Sequence, residues 1–309
     1  MKTLMYEIAV IGNPLYNSVS TVEFQTEERI LSGPAINISQ VIAKLNVHEI
    51  VTIGAIGVDF RDRFANDIDI LGIPEYYAID SPSTGGFHIS CDDGGAPTIE
   101  LIGAARALKI RDIPEEFLNS EYIVIAPGYR EIDSELVEWI SDTSDATIIL
   151  DVQGMGVRAD ESGVVHITPN ASQITEAMGY SNIIRMERPL WRMITGETDP
   201  LLAAEYIVES GAEIGIAMVS SMGAVIYDGE EFYIVPLDRS TRRNVLGASD
   251  AFLGAFVVGM LQKKSMTERS ALASSAASIV METSCAEFVL SPEELNRRQQ
   301  KISDRIVVK

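Results

Sequence analysis

The chain reads as an α/β protein built on a mostly parallel central sheet with a small β outgrowth. Short apolar runs alternate with segments of helical spacing, two ribbons of alternating polarity interrupt that rhythm, and the last third is helical. The 309 residues are 46% hydrophobic and 22% charged, a balance that buries a large core. No linker, repeat or low-complexity tract divides them, so one domain over 1–309 is expected.

Residues 8–12 form an apolar run closed by Gly12, Asn13 and Pro14, a buried strand ending in a turn. Over 18–30, Val19, Thr21 and Glu23 share one parity and Val22, Phe24 and Thr26 the other, a half-exposed ribbon. Helical spacing follows over 32–46 (Ile38, Val41, Ile42, Leu45), then an apolar strand over 50–54. The second irregular piece, 84–102, holds two strand candidates, 87–91 and 98–102, around the turn-rich tract 92–95. It is expected to be a hairpin that pairs with the earlier ribbon. The α/β rhythm resumes with a strand at 122–126, a helix through 135–140 and a strand at 146–151 that ends in a carboxylate. Further strands are expected at 214–219, 225–228 and 232–235, and helices at 248–261 and 268–281. Ser291, Pro292 and Glu294 spell a capping box with proline at the first helical position, the start of a final helix.

Charge and composition exclude several functions. With 24 Lys and Arg against 45 Asp and Glu the net charge is −21, a surface that repels nucleic acid and anionic lipid. The start lacks a signal-peptide pattern and no apolar stretch is long enough to span a membrane, so a cytoplasmic protein is expected. Cys91 and Cys285 give neither a disulfide framework nor a zinc site, and His48, His88 and His166 lack metal-binding spacing. There is no Walker loop, no dinucleotide fingerprint and no hydrolase elbow. Trp139 and Trp191 read as packing residues.

The tract that carries chemistry is 244–255. Gly247, Ala248 and Ser249 lead straight into an amphipathic helix, so unpaired backbone N–H groups and the positive end of the helix dipole face the same way. Such a terminus binds a phosphoryl group, and small side chains let it approach closely. Asp250, in the first turn, has two readings: a charge that stabilises the helix by ~0.3–1 kcal/mol, or a base that takes the proton from a hydroxyl attacking phosphorus.

This tract resembles the C-terminal signature of the PfkB or ribokinase-like carbohydrate kinases, D-T-x-G-A-G-D-x-F-x-x-G, keeping Gly247, Ala248, Asp250 and Phe252. Gly33, Pro34 and Asn37 are similar to the family's G-G-x-x-x-N segment, Gly54, Gly57 and Asp59 to its G-x-x-G-x-D stretch, and Gly12 to Asn17 to the G-N-P-L-L-D of the adenosine-kinase branch. Four such stretches in the expected order cover nearly the whole chain. The resemblance implies a three-layer α/β/α ribokinase-like fold with a β lid, its strands inserted at about 14–33 and 84–103. It further implies Asp250 as general base, the amides of Gly247, Ala248 and Ser249 as anion hole, ATP as donor with Mg²⁺, and a small sugar, polyol or nucleoside as acceptor. Asn17, Gly33, Pro34 and Asn37 fall on its substrate side. Arg130 and Arg158 are candidates for an anionic substrate group, with a solvated loop arginine as the open alternative. Relatives often pair through their lids, so a homodimer is a further expectation.

The chain also departs from the pattern. Asn17 stands where the family has a diol-binding Asp. Ser249 replaces a glycine, a strained choice if its φ is positive. Asn244 and Val245 replace the Asp-Thr that helps bind a monovalent cation, which argues against potassium dependence. On the nucleotide side the N-x-x-E that orders magnesium through water maps to Asn170 and Gln173, the T-x-G-x-x-G loop keeps only Gly223 with Ser220 inside it, and the adenine-side Asn falls on Ser274. These softened motifs leave two outcomes open: a kinase, with ATP or another donor, or a catalytically silent sugar or nucleotide sensor on the same fold.

Overall fold

The structure, a computed structural model, describes residues 6–20, 25–26, 28–90, 97–238, 247–283 and 288–309. Both cysteines, the turn tract 92–95, residues 21–24 of the first ribbon, and Asn244 and Val245 lie outside them.

The first half of the chain comprises β1 (Tyr6–Ile11), β2 (Leu15–Ser20), β3 (Ile30–Ser32), α1 (Pro34–Lys44), β4 (Ile50–Gly57), α2 (Arg61–Leu71), β5 (Tyr76–Ser81), β6 (Gly86–Ser90), β7 (Thr98–Gly103), β8 (Ser120–Ile125), α3 (Ser134–Thr143) and β9 (Thr147–Asp151). The second comprises β10 (Val157–Ala159), β11 (Val165–Ile167), α4 (Ala171–Met178), β12 (Ile183–Met186), α5 (Arg188–Thr195), α6 (Pro200–Glu209), β13 (Ile214–Met218), β14 (Gly223–Tyr227), β15 (Phe232–Pro236), α7 (Ala248–Leu261), α8 (Met266–Glu282), α9 (Pro292–Ser303) and β16 (Val307–Val308).

The main sheet runs β16-β15-β14-β13-β12-β9-β8-β1-β4-β5. From β5 to β13 every pairing is parallel; β14, β15 and β16 add an antiparallel edge. A strand buried on both faces reads as a continuous apolar run, and β4 is buried at every position. Alternate residues of β1 show the two faces: Ile8 and Val10 pack with Ile38 and Ile42 of α1 and Phe252 and Phe256 of α7, while Ala9 and Ile11 pack with the cluster that holds Leu136 of α3 and Ile207 of α6. The result is the expected α/β/α layering. Helix α7 is apolar all round because it is wedged between α1 and α8.

A second sheet runs β3-β2-β6-β7. The expected pairing of the two ribbons is present: β2 and β6 are parallel, with Val19 opposite Ile89, and β6 and β7 are antiparallel. The expected ends shift in places, because β3 starts only at Ile30 and α1 spans Pro34–Lys44. The capping box at Ser291 forms by half: Ser291 accepts from the Glu294 N–H, but the Glu294 carboxylate is bound by Arg297 and Arg298. A reciprocal box forms instead at Ser265 and Glu268, starting α8. No described helix is long and apolar enough to cross a membrane.

Candidate active site

The carboxyl ends of β1, β8, β9 and β12, the start of α1 and the start of α7 converge on a cavity of about 240 Å³. Its base is polar: Asn37, Gln153, Arg185, Ser249 and Asp250. Its opposite wall is apolar, with Val19, Phe87, Ile89 and Ile99 from the second sheet and Val157 and Val165 from β10 and β11.

Gly247 caps α7 with φ 77°, a left-handed turn that side chains resist, and a Cβ there would stand 3.2 Å from Asn37 Nδ2. The first bond inside the helix runs from the Ala251 N–H to the Gly247 carbonyl at 2.8 Å, so the amides of Ala248, Ser249 and Asp250 precede it without helical acceptors. Because the left-handed residue is Gly247, Ser249 has an ordinary helical φ and the strain considered for it does not arise. Asp250 is 8% exposed. Its Oδ2 accepts from Asn37 Nδ2 at 2.8 Å, and Ser32 Oγ lies 3.3 Å from Asn37 Oδ1, which fixes the amide. Gly33, the N-cap of α1, has φ 106°, and Pro34 fills the first helical position.

Beneath Asp250 lies a charge the motifs do not contain. Arg185, on β12, is 1% exposed; its Nη2 donates to Asp151 Oδ2 at 2.6 Å and stands 3.5 Å from Asp250 Oδ1. Glu187 Oε1 lies 3.8 Å from Nη1. Burial opposes the charge of Arg185, but Asp151, Asp250 and Glu187 outweigh it and hold its pKa above the usual range. Burial likewise lifts the Asp151 carboxyl to about 6, Arg185 working against the rise and Asp250 with it.

A pfkB family carbohydrate kinase profile matches residues 4–292. The chain belongs to that family. This pfkB-family kinase is similar to a cytidine kinase of Thermococcus kodakarensis, 23% identical over 270 residues that cover 85% of this chain and 92% of the other. A pyrophosphate-dependent kinase of the ribokinase family, solved with a pyrophosphate analogue and myo-inositol, superposes with TM-score 0.78 at 20% identity, over 94% of this chain and 99% of that one. Arabidopsis thaliana ribokinase with ribose and ATP gives 0.74 at 18% identity, over 96% and 99%. These superpositions show the shared fold.

Of the sequence-derived residues, Asn17, Gly33, Pro34, Asn37, Gly247, Ser249 and Asp250 line the cavity of the pfkB-family kinase, with Ala248 in the same turn. Asn17 Oδ1 accepts from the Phe87 N–H at 2.8 Å, so its oxygen ties β2 to β6 and its amide N–H₂ is the remaining polar group. Arg130 and Arg158 are exposed and do not line the cavity: Arg130 sits in a left-handed turn, and Arg158 occupies the β10 parity opposite to Val157. That geometry favours the solvated-loop alternative for both.

The donor-side residues also lie off the cavity. Asn170 caps α4, accepting from the Gln173 N–H, and follows β11 of a separate two-stranded sheet. The main-sheet place between β9 and β13 belongs to β12, whose end carries Arg185 and Glu187. Ser220 holds a left-handed turn before β14, and Gly223 is required there because a Cβ would overlap the Val235 carbonyl. Ser274 is fully buried and its hydroxyl donates to the Pro236 carbonyl at 2.5 Å. Asn170 and Gln173 are neutral and supply no carboxylate to a metal at that place.

Sequence reasoning missed Arg185. Its signal was available: a single arginine inside the apolar run 183–186, where a buried charge is costly unless it is paired.

Proposed function

We propose that this kinase transfers a phosphoryl group from ATP to a hydroxyl of a small sugar, polyol or nucleoside, with Asp250 as general base and the start of α7 as anion hole. One observation carries the proposal: the Asp250 carboxylate, the amides after Gly247 and a cavity with room for a small molecule meet at one place. Asn37 holds Oδ2 of Asp250, so the carboxylate is oriented before the acceptor arrives. The acceptor hydroxyl gives its proton to Asp250 as its oxygen attacks phosphorus, help worth ~10²- to 10⁴-fold. Charge that develops on the phosphoryl oxygens meets the amides of Gly247, Ala248 and Ser249, where one donor is worth ~2.7–4 kcal/mol. The apolar wall of the second sheet acts as a lid that excludes water, a competing acceptor.

A second donor is favoured by one feature: Ser274 and Asn170 are engaged in structural bonds away from the cavity. Pyrophosphate, the donor of a similar kinase of the ribokinase family, is the alternative to ATP. Incubation with each donor and a panel of sugars, polyols and nucleosides, with release of ADP or phosphate followed, tests both. Product that forms with wild type and disappears in Asp250→Asn is expected. Full turnover by Asp250→Asn overturns the assignment of the base.

A further inference from the structure

We infer that Arg185 is a catalytic residue, donating an unpaired guanidinium N–H to an oxygen of the phosphoryl group during its transfer. The reaction rests on the kinase reading above; the site rests on the guanidinium itself. An arginine has five N–H donors in a rigid fork. Here Nη2 is engaged by Asp151 at 2.6 Å with Asp250 beside it at 3.5 Å, while Nε and Nη1 are buried and have no hydrogen-bond partner. The side chain lines the cavity and is 1% exposed. Buried donors of a charged group are rarely left unpaired, and a purely structural ion cluster satisfies them. Gln153 Oε1, on the same cavity, is also buried without a partner.

The surroundings hold the fork in place. Asp151 anchors one corner, and Glu187, 3.8 Å from Nη1 and itself unbonded at Oε1, fixes the plane without closing that edge. A hydrogen bond from the charged guanidinium to a phosphoryl oxygen is roughly twice as strong as a neutral one. Arg185 is the cationic side chain among the described residues that line this cavity.

In the step, a lone pair on the acceptor oxygen forms the new O–P bond and the hydroxyl proton moves to Asp250. The P–O bond to the donor's bridging oxygen breaks, and its electron pair leaves with the donor. Arg185 neither gains nor loses a proton. It neutralises charge on one phosphoryl oxygen, and the α7 amides serve the others.

Arg185→Met alone strands Asp151 in the core, so the decisive variant is Asp151→Asn/Arg185→Met, which removes both charges together. Its kcat is expected to fall ~10²- to 10³-fold with the acceptor KM within about threefold of wild type, while Arg185→Lys recovers part of kcat. Calorimetry with inorganic phosphate gives a readout that needs no turnover: binding by wild type and by Asp250→Asn, and at least about tenfold weaker binding by the double variant. A double variant with near wild-type kcat, or phosphate affinity unchanged by loss of the guanidinium, overturns the inference, as does a wild type that does not bind phosphate. If no donor supports turnover yet phosphate binding still depends on Arg185, the kinase reading fails and the anion site stands.

Discussion

The two halves of the expected site behaved differently. Of the residues assigned to the acceptor side, Asn17, then Gly33, Pro34 and Asn37, then Gly247, Ser249 and Asp250 come from three separate stretches of chain and meet on one cavity, while Arg130 and Arg158 stay outside it. Residues assigned to the donor side do other work: Asn170 caps a helix, Ser220 turns the chain, Gly223 fits under Val235 and Ser274 ties α8 to β15. The acceptor-side motifs carry geometric demands, a left-handed glycine before a helix and a carboxylate in its first turn. The donor-side matches rested on residue type alone, which a cap or a buried hydroxyl meets equally well.

Substitutions break or sharpen that contrast. Asp250→Asn is expected to lower kcat by ~10²- to 10⁴-fold, measured at saturating acceptor. Next comes Asn37→Leu, which leaves Asp250 Oδ2 without its 2.8 Å partner; an unpaired buried acceptor costs ~1–3 kcal/mol, roughly ten- to a hundredfold in kcat/KM. Gly247→Ala forces a side chain into φ 77°, a cost of ~1–2 kcal/mol that should lower the melting temperature as well as the rate. On the other half, Ser274→Ala is expected to cost about 1 kcal/mol of stability and Asn170→Ala ~0.5–2 kcal/mol, each with the donor KM unchanged. A large rise in donor KM from either one would restore a nucleotide role and dissolve the contrast.

A further effect is one of pH. The Asp151 carboxyl is raised from the usual 3.8 to about 6 by burial, so the folded chain holds this proton more tightly than the unfolded one. Its contribution to stability is therefore full below about pH 4 and is lost as pH rises through about 6. Unfolding followed across that window should show the slope, and Asp151→Asn should remove it.

The layering was legible because strands buried on both faces leave continuous apolar runs, as β4 and β8 do. Helix α7 was read at its true bounds from its small-residue start and its apolar length. By contrast α2, with only Phe64, Ile68 and Leu71 buried, carries a thin apolar stripe that polar neighbours conceal. Strand β12 was hidden by its own Arg185: the lone charge in an apolar run signals a buried pair, but its partners Asp151 and Asp250 are brought to it only by the fold. Asn17 showed the same limit: its identity was plain, but the bond to the Phe87 N–H depends on a strand far along the chain.

That distance has a kinetic meaning. Ser18 and His88, bonded at 2.9 Å, are separated by 70 positions, and between them the chain must complete α1, β4, α2 and β5. Bringing such remote partners together is slow until intervening structure shortens the loop. The base of the cleft should thus be laid down before its roof. The roof amides should be the earliest to exchange with deuterium in the native protein, a local opening that lets a small molecule in without disturbing the floor.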